Sequence, residues 1–88
     1  MSPGDAESTS LLLIRINAAL DAQLHRLQGT CEPQDFAEQR RLFAFAMSAL
    51  LDIVNPIYRA HPQLKPVQMG GSFVVPAWVL KPLPVGEP

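Results

Sequence analysis

Leu13, Ile16, Leu20, Leu24 and Leu27 recur at spacings of three and four, which stacks them on one face of a helix. The pattern predicts a helix from about Ser10 to Gln28. Ser8, Thr9 or Ser10 would accept from its free first-turn amides, and Gly29 would supply a left-handed stop. Arg15, Asp21, Ala22, His25, Arg26 and Gln28 fall mostly away from the apolar stripe. Leu11, Leu12 and Ile14 make the helix start greasier than one contact face requires. Residues 1–9 are small and polar and read as a flexible N-terminus.

A second helix begins almost at once. Pro33 suits the first helical position, where its missing amide has no partner to lose. Asp35 places negative charge at the favoured end of the helix dipole. The link from Gly29 to Glu32 is short, so the two helices are predicted to lie antiparallel as a hairpin over residues 10–61. Around Phe43, the residues Phe36, Met47, Leu50, Val54 and Ile57 cluster within about 40°. Leu42, Ala46, Ala49 and Ile53 form a flanking stripe, and Leu51 and Tyr58 lie on the other flank. The apolar arc is roughly 200° wide, against the ~100° that packing on one neighbour needs. A hairpin alone cannot cover it. The fold class read here is all-α: a helical hairpin that dimerises into a four-helix bundle, with Leu42, Ala46, Ala49 and Ile53 facing the second subunit. Asn55-Pro56 interrupts the pattern, but Ile57 and Tyr58 continue the apolar face, which predicts a kink and one further turn ending by His61-Pro62.

The last segment, 62–88, holds six of the nine prolines, yet it is apolar. Gly70-Gly71 predicts a turn, and Ser72 to Leu80 an extended stretch that Pro76 bars from a central strand. Residues 72–80 are expected to lie extended on helix surface, with Phe73, Val75 and Trp78 as contacts and Trp78 as the principal anchor.

Composition narrows the function. Charged residues are only 17% of the 88, and the formal charge is −1, so nothing attracts nucleic acid or an anionic membrane. A single cysteine, Cys31, excludes an internal disulfide framework and fits a reducing compartment. Asp5 and Glu7 precede any apolar run, unlike a secretory signal, and no stretch of about 20 apolar residues is evident. The expectation is a cytoplasmic protein with no membrane partner.

No motif dictates a chemistry. His25 follows Asp21 by four residues and pairs with it on a solvated face. His25, Cys31 and His61 match no metal-site spacing. Arg40-Arg41 is the one basic doublet, with Arg41 within reach of Glu38. Asn17 borders the first helix's stripe. Phe45 is the outlier, a large aromatic among Glu38, Arg41, Ser48 and Asp52, and marks a contact site. The sequence therefore reads as a non-enzymatic protein–protein interaction module, without catalytic residues, metal or cofactor. It would act as a homodimer that binds another protein in a regulatory role of the anti-activator, adaptor or immunity type. The alternative is a small-molecule-binding protein or enzyme with a pocket between helices of a dimer, where Asn17, Tyr58 and His25 are the polar candidates.

Overall fold

Two 28-residue helices, α1 (Pro3–Thr30) and α2 (Pro33–Ala60), carry the fold in a computed structural model that describes residues 1–81. They form the predicted all-α hairpin. Cys31 and Glu32 alone connect them, and Ser10 meets Tyr58 across the pair. Among the described residues the only β pairing is an isolated bridge between Pro66 and Phe73.

α1 begins seven residues before the expected start, so residues 3–9 are helix rather than a flexible end. The reason is local chemistry in the first five residues. The Ser2 hydroxyl accepts from the Asp5 amide at 3.1 Å, Pro3 takes the first turn, and Asp5 adds charge there. Tertiary contact completes it, because Ala6 is wholly buried in the core. Ser8, Thr9 and Ser10 are therefore helix interior. Gly29 is also helical and has no positive φ. What ends α1 is Pro33, which forces the residue before it out of the helical region; Glu32 and Cys31 are extended, with ψ 146° and 155°.

α2 runs through Pro56 and closes one turn later, where the His61 amide donates to the Ile57 carbonyl at 2.7 Å. Pro56 deprives the Asp52 carbonyl of its helical donor, at an exposed position where water can replace it.

The core lies at the open end of the hairpin. Ala6, Leu13, Val54, Ile57, Tyr58 and Leu64 are buried together, with Ile16, Leu50 and Phe73 against them. No residue between Leu13 and Val54 is fully buried. Inside the core the Ser10 and Tyr58 hydroxyls share a 2.7 Å hydrogen bond. Tyr58→Phe leaves the Ser10 hydroxyl buried and unpaired, and should cost about 1–3 kcal/mol by thermal or urea unfolding. Ser10→Ala/Tyr58→Phe removes both partners and should recover much of that loss.

The tail closes the open end. A 3₁₀ turn at Pro62–Leu64 inserts Leu64 into the core. Lys65 and Phe73 then meet again: the Phe73 amide donates to the Lys65 carbonyl at 3.0 Å, and Val67 donates to Phe73 at 3.1 Å. The loop between them, with a 3₁₀ turn at Val67–Met69, returns through Gly70, whose φ is 88°. Residues 74–76 form no regular element, and in place of the expected extended chain Ala77–Leu80 forms a further 3₁₀ turn packed on α1. That turn corrects the expected anchor. Val79 is completely buried, whereas Trp78 is 52% exposed. In a 3₁₀ turn neighbouring side chains point about 120° apart, so seating Val79 against α1 turns Trp78 outward. The predicted tail at 82–88 lies outside the described residues.

Candidate interaction surface

α1 covers one side of α2, where Val54, Ile57 and Tyr58 are buried and Phe36, Phe43, Met47 and Leu50 are partly so. The flanking stripe is left open. Leu42 is 45% and Ile53 49% exposed, and Ala46 and Ala49 between them are exposed too. Phe45, beside this stripe, is 64% exposed. The Arg41 guanidinium lies over its ring, 5.8 Å from the centroid, while pairing with Glu38 at 2.6 Å. Both partners of that ion pair are solvated, so its worth is a few tenths of a kcal/mol, on the order of 0.3–0.5. Its effect is to hold an Arg stem and an aromatic face together at the stripe's edge.

The open stripe makes α2 unusually apolar for its exposure. From Leu42 to Tyr58, Asp52 is the sole charged residue. An 18-residue window of α2 reaches a mean hydropathy of 1.2, enough in length and composition to cross a bilayer, and only 17% of it is buried. This amends the expectation that no stretch approaches a membrane span. A count of unbroken apolar residues stops at Ser48, Asp52 and Asn55-Pro56, which interrupt the run while adding a single charge.

On the opposite flank of α2 lies a groove of about 440 Å³ between α1, α2 and the tail. Leu13, Ile14, Leu51, Met69, Val75 and Leu80 supply most of its apolar wall; Asn17, Gln68 and Tyr58 are its polar members. None of the four stripe residues lines it. Sequence reading singled out Asn17, Tyr58 and Val75, but not Gln68, Met69 or Leu80. Those three are brought in by short 3₁₀ turns, which leave no periodic signal. Phe73 packs against the core, and Trp78 projects outward.

The remaining polar candidates are scattered. Asp21, His25 and Arg40 border a shallow cleft of about 270 Å³ near the hairpin turn. His25 makes no ion pair or side-chain hydrogen bond with Asp21; among the described residues the one ion pair is Arg41–Glu38. His25 and His61 lie on different helix ends, and the described residues include no group of three or more His, Cys, Asp or Glu placed to hold a metal.

Compared with models of known protein families, with curated proteins and with solved structures, the chain matches none.

Proposed function

We propose that the chain is a non-enzymatic protein–protein interaction module that works in the cytoplasm as a homodimer and regulates a second protein by binding it. The observation that carries this reading is the open α2 stripe of Leu42, Ala46, Ala49 and Ile53. Burying such a stripe is favourable at about 25 cal/mol per Å², and the two alanines allow a second helix to approach closely. A dimer leaves Phe45 with Arg41, and Trp78 on the tail, as aromatic anchors at its edges. Aromatic and Arg side chains are the groups that dominate hot spots on protein surfaces.

Light scattering at micromolar concentration should give about twice the 9.7 kDa chain mass, and Ala49→Glu should give a monomer of unchanged helical content, because it sets a carboxylate in the interface. The tagged dimer should then capture one stoichiometric protein from its native cytosol, with Phe45→Ala or Trp78→Ala weakening that capture at least tenfold. A wild-type chain that stays monomeric at every concentration overturns the homodimer.

A second reading rests on the groove. Its volume lies within the range of small-molecule sites, and its few polar groups among apolar walls match their usual lining. The Tyr58 hydroxyl is already engaged by Ser10, so Asn17 and Gln68 would orient the ligand. A small molecule retained by the purified protein in native mass spectrometry, and lost in Asn17→Leu, would favour this reading.

A further inference from the structure

The exposed stripe of α2 reads the same in both directions. Leu42, Ala46, Ala49 and Ile53 are separated by four, three and four residues, with large side chains outside and small ones inside. We infer that α2 pairs antiparallel with the α2 of a second copy about a two-fold axis between Met47 and Ser48, an arrangement that rests on the homodimer proposed above. Leu42 then meets the partner subunit's Ile53, and Ala46 meets the partner subunit's Ala49. Small residues face small ones at the centre, where the helices come closest, and branched residues close both ends.

Charge selects the same direction. Along the solvent-facing flank of the stripe α2 carries Glu38, Arg41, Asp52 and Arg59, all exposed. A two-fold axis perpendicular to an antiparallel pair brings like flanks together. Glu38 then lies two residues, about 3 Å along the axis, from the partner's Arg59, and Arg41 the same distance from the partner's Asp52. Both pairs are attractive. A parallel pairing about an axis along the helices carries like flanks to opposite sides of the pair, so neither attraction forms. Slipping the antiparallel register by one heptad sets Ile53 against the partner's Asp35 in one direction, and Ala46 against the partner's Pro56 in the other. Charge therefore favours the antiparallel pair over the parallel one and disfavours the first of these slips.

Cysteine pairing decides between these arrangements. In a Cys31→Ser background, chains carrying Leu42→Cys and chains carrying Ile53→Cys are oxidised separately and mixed. Antiparallel pairing predicts a disulfide between unlike chains at least tenfold faster than between like chains. In that geometry like cysteines are 11 residues, about 16 Å, apart along the axis, beyond disulfide reach. Spin labels at Arg59→Cys, on the solvated flank, give a second readout that leaves the stripe intact, with an expected separation of about 35 Å. A dimer in which like chains cross-link and the labels lie within about 20 Å is parallel, and overturns the inference while the homodimer stands. A dimer in which neither mixture cross-links uses another surface, with the same consequence. A chain that light scattering finds monomeric, or that is held only on phosphatidylcholine vesicles, overturns both.

Discussion

Gly71→Ala should detach the tail from the hairpin and lower the melting temperature by 10 °C or more. A Cβ at position 71 would stand 2.0 Å from the Lys65 carbonyl oxygen and 2.5 Å from its carbon. Neither atom can yield, because that carbonyl accepts the Phe73 amide, which closes the loop. The chain must therefore break the Lys65–Phe73 pairing or move Leu64, which sits in the core. Overpacking of this kind costs about 1–3 kcal/mol, and each hydrogen bond lost adds about 1 kcal/mol. For a domain of this size one kcal/mol moves the midpoint by about 4–8 °C. Gly70 provides the contrast. Its φ is 88°, but a Cβ there meets nothing within 4 Å, so Gly70→Ala incurs only the left-handed penalty of about 1–2 kcal/mol. Circular dichroism should find the helical content of both variants near wild type, and limited proteolysis should cut Gly71→Ala within residues 62–73. Equal stability of Gly71→Ala and wild type would show that the loop does not hold the tail.

These two glycines also mark where sequence reading stops. The hairpin was legible because Leu13, Leu20 and Leu24, and then Phe43, Leu50, Val54 and Ile57, repeat with the helix period over many turns. Its start was misplaced because polarity at Ser8-Thr9-Ser10 outweighed the Ser2-Pro3-Asp5 start signal; buried Ala6 and the Ser10–Tyr58 hydrogen bond depend on residues some fifty positions away. The stop at Gly29 failed for a related reason. A glycine permits a left-handed residue but does not demand one, whereas Pro33 does constrain Glu32. The Gly70-Gly71 turn was anticipated, but not that it would return Phe73 to Lys65, since one bridge has no periodicity. The open stripe was legible in outline. Its four residues stand apart from the α1 contact on a helical wheel, and the structure leaves them exposed.

Val79→Asp should have an effect comparable to Gly71→Ala, and Trp78→Ala a far smaller one, although tryptophan is the larger side chain. Val79 is 0% exposed on α1. An aspartate there either loses its hydration or leaves the site, and several kcal/mol separate a buried unpaired carboxylate from a solvated one. The tail will leave. The loss is then capped at what docking contributes, about 1.5–3 kcal/mol for the valine together with whatever Leu80 and Val75 add at the groove. The entropy of ordering the backbone of residues 72–80 opposes this, softened by Pro76, whose φ is already fixed. The docked tail is thus only modestly favoured, and removal of one well-seated side chain suffices to release it. Trp78, half in solvent, forfeits little on truncation to alanine, so thermal unfolding of Trp78→Ala should stay within about 1 kcal/mol of wild type. Its loss should instead appear in binding of the second protein, where an exposed indole has most to gain from burial. In Val79→Asp, the Trp78 emission should shift to the red as the turn at Ala77–Leu80 leaves α1. The opposite ranking, with Trp78→Ala the more destabilising, would restore Trp78 as the anchor and reverse the seating of the turn.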